Sequence, residues 1–166
     1  MADDPGAPSG AAPDEEAGPA PQIGVETQYI KDLSFENPMG PAALESIQQS
    51  PEVNVEVTTS ARGLGGGRYE VTLLIRGEAR TPDSTVFVLE LTYAGVFVLE
   101  NVPDEAINPV LLIECTRLLF PFARNIVAEV SRDGGFPPLF LDPIDFMQLY
   151  QEQHMPDEEN GNGLDA

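Results

Sequence analysis

Apolar and polar residues alternate along four stretches in the first part of the chain. From Val25 to Glu36 the odd positions are mainly apolar and the even positions mainly polar, and stretches 53–59, 69–80 and 86–95 repeat this period. Such alternation predicts strands with one buried face, and the short connections between the last three predict antiparallel hairpins. The residues expected to face the core are Val25, Thr27, Tyr29, Leu33 and Phe35; Val53, Val55 and Val57; Tyr69, Val71, Leu73 and Ile75; and Phe87, Leu89, Leu91 and Tyr93.

A helical period replaces the alternation towards the C-terminus. Between residues 110 and 130, apolar residues recur every three or four positions, which predicts an amphipathic helix. Pro121 lies inside this stretch and predicts a kink or a break, because proline lacks a backbone donor. Gly134-Gly135 should end the helix, and Asp142 should cap another one. A short helix is also expected over 41–49, between the first two strands.

Strands followed by helices predict an α+β fold, with helices on one face of a four-stranded antiparallel sheet. The expected domain comprises residues 23–150. Residues 1–22 are rich in Ala, Pro, Gly and acids, residues 151–166 are acidic and rich in Gly and Asn, and neither segment contains Lys or Arg. Such segments cannot bury enough apolar surface to offset the entropy of ordering, so we expect both tails to be disordered.

The chain is strongly acidic, with a formal net charge of −20. Each tail holds five acids, and the segment between them keeps 18 acids against 8 bases. This balance disfavours nucleic acid and anionic membranes as partners and favours basic proteins or peptides. The N-terminus lacks the pattern of a signal peptide, and no apolar run approaches the roughly 18 residues of a membrane span. We therefore expect a cytoplasmic protein without direct membrane insertion.

Residues suited to catalysis or metal binding are few. The single histidine, His154, falls in the acidic tail, and the single cysteine, Cys115, falls on the apolar helical stripe. A general base needs a rigidly placed partner and a metal site needs several clustered ligands. We therefore expect no catalytic residues, no metal and no cofactor. Two features could instead bind a partner. Acids on the outer face of the first strand could dock a basic partner, although an ordinary solvated sheet face would also explain them. Aromatic residues late in the chain could bind peptides, although a core would also explain them.

Several motifs, in their order along the chain, resemble the SecB family, the bacterial cytosolic chaperones of protein export. They are 29–36, 87–97, Phe120-Pro121-Phe122-Ala123-Arg124, and Phe136-Pro137 followed by 142–146. The resemblance covers about residues 22–153. It implies a homotetramer, a dimer of dimers, that holds precursor proteins unfolded and delivers them to SecA, the motor ATPase of export. It also implies a protein that is not an enzyme and uses no nucleotide.

The resemblance implies two sites. The SecA docking surface would comprise Asp32, Glu36, Val88 and Glu90, which strand alternation independently places outward. The client groove would lie between the crossover segment and the last helix, and would comprise Met39, Leu44, Ile47, Phe140, Phe146, Met147 and Tyr150.

Two alternative functions stay open, a homo-oligomeric α+β enzyme with a small-ligand pocket and an acidic scaffold. A chaperone would slow the aggregation of many unfolded chains, an enzyme would bind one small ligand, and a scaffold would do neither.

Overall fold

The computed structural model describes residues 17–155, which form one sheet followed by helices. The strands are β1 (Gln22–Glu36), β2 (Glu52–Gly65), β3 (Arg68–Arg80) and β4 (Thr85–Glu100). A 3-10 turn (Gly40–Ala42) and α1 (Ala43–Gln48) join β1 to β2. After β4 come α2 (Asp104–Pro109), a π-helical segment (Val110–Cys115), α3 (Thr116–Asp133) and α4 (Phe146–His154). All neighbouring strands are antiparallel, in the order β1-β4-β3-β2, which confirms the predicted fold class.

The core lies between the inner face of the sheet and the helical segment that follows it. The central strands contribute Val71, Leu73, Ile75, Leu89 and Leu91, and the helical side contributes Leu111, Cys115, Leu119 and Val127, all nearly or fully buried. Alternation therefore identified the inner faces of β3 and β4. The prediction of burial was wrong for Val25, Thr27 and Leu33 of β1 and for Val53 and Val55 of β2, all of which are exposed on these edge strands. An edge strand alternates as a central one does, but here the helices do not cover it.

The strand β1 changes its inward-facing residues along its length. Its pairing register with β4 shifts between Val25 and Thr27 and again between Ile30 and Asp32. A bulge inserts one unpaired residue and so displaces the alternation by one position. Lys31 is the extra residue of the second bulge, and it lies on the outer face with Asp32. Tyr29, predicted to point inward, reaches the same outer face, where both side chains contact Glu70 of β3.

The irregular turn of the long helix lies upstream of the predicted one. The helix α3 continues through Pro121 without a break, and the irregularity is the π-helical segment 110–115. Both Pro121 and Arg117 are exposed, so water can reach the Arg117 carbonyl that the proline leaves without a donor. Next to the π-helical segment, the buried Thr116 hydroxyl donates to the Leu112 carbonyl at 2.7 Å and lies 2.9 Å from the Ile113 carbonyl. The predicted break at Pro121 was therefore wrong.

The predicted end of α3 is confirmed. Gly134 is its C-cap, and Gly135 follows with a φ of +93°, a left-handed conformation that favours glycine. A Cβ at Gly134 would overlap the ring of Phe35, so glycine is also needed for the end of β1 to pack against the end of α3. Phe35 stacks on Phe87 there, with ring centroids 5.6 Å apart.

The last helix differs from its prediction at both ends. Its N-cap is Asp145, whose carboxylate accepts from the Gln148 backbone N–H at 3.1 Å, and not Asp142. The helix continues to His154, beyond the predicted domain boundary at residue 150. At the other end, β1 begins at Gln22, one residue before the predicted domain. Most of each predicted disordered tail lies outside the described residues.

The helical stretch from Asp104 to Asp133 is more apolar than the sequence analysis anticipated. It spans 30 residues and contains an 18-residue window that, by length and composition alone, is apolar enough to suit a membrane span. In the structure it packs on the sheet, with 39% of that apolar window buried. Leu118 and Phe122 belong to the apolar stripe of the predicted helix, and they are 45% and 52% exposed. We call these two residues, one helical turn apart, the apolar helix face.

Candidate docking face and client groove

The four predicted docking residues lie together on the outer face of the sheet. The strands β1 and β4 are neighbours, as predicted, and in their register Glu36 pairs with Val88, Asp32 with Thr92 and Ser34 with Glu90. Cross-strand partners share a face and have Cβ atoms about 4.5–5.5 Å apart. The pairing therefore produces one continuous surface of Asp32, Glu36, Val88 and Glu90, which we call the acidic patch.

The strand β3 adds charged residues that the sequence analysis missed. Arg76 pairs with Glu90, and Glu78 pairs with Val88. Arg76 Nη1 lies 3.5 Å from Glu90 Oε2 and its Nη2 lies 3.8 Å from Glu78 Oε2, while Arg80 Nη1 lies 3.2 Å from Glu78 Oε1. Partly exposed pairs of this kind contribute about 0.2–1 kcal/mol each. A basic partner must therefore compete with Arg76 for Glu90, but at a small cost.

A second charged cluster lies on the same outer face and was not predicted. Glu70 of β3 is only 5% exposed, and three side chains surround its carboxylate. Lys31 Nζ and Arg62 Nε each donate to Oε1 at 2.8 Å, and the Tyr29 hydroxyl donates to Oε2. We call Tyr29, Lys31, Arg62 and Glu70 the Glu70 cluster. It joins β1 and β2 to β3, and the bulge in β1 makes it possible because alternation alone would turn Lys31 inward.

The Glu70 cluster holds a buried carboxylate in its charged form. Hydrogen bonds from Arg62, Lys31 and Tyr29, in that order, lower the pKa of Glu70 to about 2, against the opposing effect of burial. The same contact with Glu70 raises the pKa of the Tyr29 hydroxyl. Glu70 is therefore an anion at physiological pH, bound by two cations.

Replacing Glu70 by glutamine should lower the free energy of unfolding by about 1–3 kcal/mol near neutral pH, because glutamine removes the charge that three donors bind. The folded-state pKa of about 2 lies below the ordinary value of 4.5, so this stabilisation is present above pH 4.5 and is lost as the pH falls towards 2. Urea unfolding at fixed protein concentration should show the free energies of unfolding of the two proteins converging as the pH falls towards 2. Glu78→Gln, a more exposed acid on the same strand, should have a smaller effect. If the difference in the free energy of unfolding between the unaltered protein and Glu70→Gln does not depend on pH, this account of Glu70 is wrong.

One of the seven predicted client-groove residues lines an open cavity, which borders β2 and not the crossover segment. Phe140 lies in an open cavity of about 350 Å³ between β2 and residues 139–144. The cavity is lined mainly by apolar side chains, namely Val53, Val55, Val57, Leu139, Leu141, Pro143 and Ile144, together with Asp142. We call this cavity the β2 groove. The sequence signal was present in the three alternating valines, but they were assigned to the core because strand order cannot be deduced from alternation.

The other predicted groove residues have different positions. Leu44 on α1 and Met147 on α4 are exposed, with no part in the lining of the β2 groove. Met39, Ile47 and Tyr150 are partly buried against the core. Phe146 is 2% exposed and meets Phe120 edge-on, with ring centroids 5.6 Å apart. Its side chain therefore belongs to the core and offers no open surface to a client.

The C-terminal turn of α4 is bound to the edge strand beside the β2 groove. Gln153 Nε2 donates to the Val57 carbonyl at 2.7 Å, and the Thr59 N–H donates to Gln153 Oε1 at 3.2 Å. One side-chain amide thus bonds to two backbone groups of β2. His154 lies 3.4 Å from the Thr59 hydroxyl and stacks on Tyr150. The histidine is therefore held on a helix, contrary to its predicted place in a disordered tail.

Cys115 has the surroundings of a core residue. It is fully buried, and burial together with the neighbouring Glu114 raises the pKa of its thiol to about 12. A thiol acts as a nucleophile or a metal ligand in its ionised form, which this environment disfavours. Within residues 17–155, no three His, Cys, Asp or Glu side chains come together in a way that would hold a metal ion.

Comparison with known proteins agrees with this architecture. A sequence model of the family described as preprotein translocase subunit SecB matches residues 16–157. The chain is 54% identical over 137 residues to a protein-export protein SecB of Afipia carboxidovorans, covering 82% of this chain and 85% of the relative. It is 53% identical over 144 residues to that of Rhodopseudomonas palustris, covering 87% and 90%.

A solved structure shows the same fold at low sequence identity. It is the Rv1957 SecB-like chaperone of Mycobacterium tuberculosis, in complex with a ChAD peptide from the HigA1 antitoxin. The match has a TM-score of 0.60 at 12% identity, and it covers 74% of this chain and 90% of that one. The family model spans most of the chain, and the curated relatives are more than half identical to it. The chain therefore belongs to the SecB family of protein-export proteins.

Proposed function

We propose that the chain is a cytoplasmic export chaperone that holds precursor proteins unfolded and delivers them to the SecA motor ATPase. One observation carries this proposal. An open apolar groove and an acidic patch lie on different parts of one small domain, the first beside the edge strand β2 and the second on the outer face of β1 and β4. Because β3 and β4 separate β2 from β1, a client and a motor could be bound at the same time.

The β2 groove suits unfolded chains of many sequences. Its lining is mainly valine, leucine, isoleucine and phenylalanine, and Phe140 is 68% exposed before any client binds. Apolar burial stabilises binding by about 25 cal/mol per Å² without requiring a particular sequence. Val53 and Val55 are also exposed, so an extended segment could cover three apolar side chains in one place. These features support promiscuous binding of unfolded precursors.

The acidic patch suits a basic segment of SecA. Asp32, Glu36 and Glu90 carry negative charge on one sheet face, and Val88 places a small apolar surface among them. On a chain with a net charge of −20, such a surface accelerates encounter with a basic partner. In this proposal Val88 contributes contact area and the three acids contribute charge.

The apolar helix face supports assembly with other copies of the chain, and we propose that the assembly is a homotetramer arranged as a dimer of dimers. Leu118 and Phe122 are about half exposed, and the Phe122 ring stacks on Tyr93 with centroids 6.5 Å apart. Tyr93 pairs with Ile30, itself 48% exposed, so apolar surface continues from α3 onto β1. A contiguous apolar surface of this kind marks an interface in soluble proteins. We propose that other copies of the chain cover it.

Replacing both Phe140 and Val55 by serine should weaken the holding of unfolded chains at least about fivefold, because two exposed apolar contacts of the groove are lost. Both side chains lie in the open groove, so the fold and oligomeric state should persist. The measurement is suppression of aggregation for several unrelated unfolded precursors, followed by light scattering.

A matched control is Leu64→Ser. Leu64 is an exposed leucine at the far end of β2, outside the β2 groove, and its loss should leave aggregation suppression unchanged. Equal loss of aggregation suppression in the double variant and in Leu64→Ser would show that the β2 groove is not the client-binding site. If the unaltered protein fails to suppress aggregation of any precursor, the chaperone proposal is wrong, and the enzyme and scaffold alternatives return.

A further inference from the structure

Three members of the Glu70 cluster line a second cavity, on the outer face of the sheet. The cavity measures about 220 Å³ and is lined by Lys31, Ser60, Ala61, Arg62, Glu70, Thr72 and Thr92. Thr92 pairs with Asp32, so this cavity begins where the acidic patch ends. The β1 bulge places two neighbours of opposite charge, Lys31 and Asp32, on the same face at this boundary.

The cavity carries an excess of positive charge. Lys31 and Arg62 share a single carboxylate oxygen of Glu70, and their side chains remain 45% and 66% exposed. Among the hydrogen bonds within residues 17–155, Arg62 reaches Glu70 through Nε alone, which leaves the donors of both terminal amino groups for another acceptor. The Ser60, Thr72 and Thr92 hydroxyls add further donors to the walls. A localised cationic site thus adjoins the acidic patch of a strongly acidic chain.

We propose that this cavity binds an aspartate or glutamate side chain of the same basic segment that docks on the acidic patch. The inference rests on the proposed docking function. A carboxylate at this position would accept from the terminal amino groups of Arg62 and from the Lys31 ammonium, and such charge-assisted hydrogen bonds are stronger than neutral ones. The partner segment that complements the acidic patch and the cavity together therefore has basic residues along its length and one acidic residue at one end.

The position of the cavity gives this contact a second consequence. The acidic patch alone attracts a basic segment in either direction, because charge attraction carries little directional information. The cavity lies beyond one end of the patch, next to Asp32, and not at the end of Glu36 and Val88. A carboxylate bound there fixes the direction in which the segment crosses the sheet, and a misdirected segment would place its acid beside Glu36.

Three short extended peptides with capped ends and the same lysine and alanine residues test the inference. One carries aspartate near its C-terminal end, one carries asparagine in the same place, and one carries aspartate near its N-terminal end. Calorimetry with the full chain at low ionic strength should show one aspartate peptide binding about two- to fivefold more tightly than the asparagine peptide. The other aspartate peptide should bind no more tightly than the asparagine peptide.

Variants of the full chain test whether the cavity causes the preference for the aspartate peptide over the asparagine peptide. Arg62→Gln and Lys31→Gln should each reduce or erase it while retaining binding of the asparagine peptide, whereas Arg80→Gln, which removes a cation of the same sheet outside the cavity, should preserve it. If Arg62→Gln does not fold, Lys31→Gln carries the test, since Arg62 and Tyr29 still bind Glu70.

Two results would overturn the inference alone, namely equal binding of the aspartate and asparagine peptides, or a preference that persists in every folded cluster variant. The docking proposal fails separately, and the inference with it, in two other cases. One is that no peptide binds the unaltered chain. The other is that the asparagine peptide binds equally well after Asp32→Asn with Glu36→Gln.

Discussion

Replacing both Asp32 and Glu90 by lysine should abolish binding to SecA and to its isolated basic segment, while aggregation suppression persists. Asp32 and Glu90 lie on adjacent strands of one face, and Glu90 contacts Arg76 at 3.5 Å. A lysine at position 90 would add a second cation beside Arg76 and turn an attractive surface into a repulsive one. Like charges at such an interface cost several kcal/mol, whereas removing one exposed pair costs about 0.2–1 kcal/mol.

Calorimetry across a salt series measures this effect, because exposed charges are screened over about 8 Å at physiological ionic strength. The matched control is Glu45→Lys with Asp133→Lys, which changes the net charge equally at exposed sites on helices. The control should retain binding if the position of the charges matters and lose it if only net charge does. Unweakened binding of the Asp32, Glu90 double variant would place the docking surface elsewhere.

Alternation correctly placed the four proposed docking residues on one face of the sheet, for a reason that can be traced to particular residues. Alternation works where strands pair without irregularity, and from Asp32 to Glu36 the pairing with β4 is regular. Upstream, the bulge at Lys31 displaces the alternation, so Tyr29 was assigned inward and the Glu70 cluster could not be predicted. A β-bulge carries no reliable local sequence pattern, because it depends on the partner strand.

The groove illustrates a second limit of sequence interpretation. An apolar face predicts that a strand packs against something, but it does not say whether that surface belongs to the same chain. Val53 and Val55 show the alternation expected of core residues, yet β2 is an edge strand and both are exposed in the groove. Phe146 is the opposite case. The family resemblance implied that it lies in the client groove, but it is the first residue of α4, after the N-cap Asp145, and its side chain is buried in the core.

The same limit applies to the long helix, whose exposed apolar residues lead to a prediction about assembly. Replacing Leu118 and Phe122 together by aspartate should dissociate the proposed tetramer into smaller species. Each side chain is about half exposed on its own chain, so the altered protomer can fold with both aspartates in water. In an assembled interface the same two charges would be buried without partners, which costs several kcal/mol per subunit.

Light scattering coupled to gel filtration, at micromolar concentration and moderate salt, measures the change. The unaltered protein should have the mass of about four chains, and the double variant should have the mass of one or two with its secondary structure retained. Leu64→Asp, a charge introduced at an exposed leucine near the β2–β3 turn, should leave the tetramer intact. An unaltered protein that is a monomer would refute the assembly. A double variant that remains tetrameric would show that subunits meet elsewhere, with the exposed residues of β1 such as Ile30 as the next surface to alter.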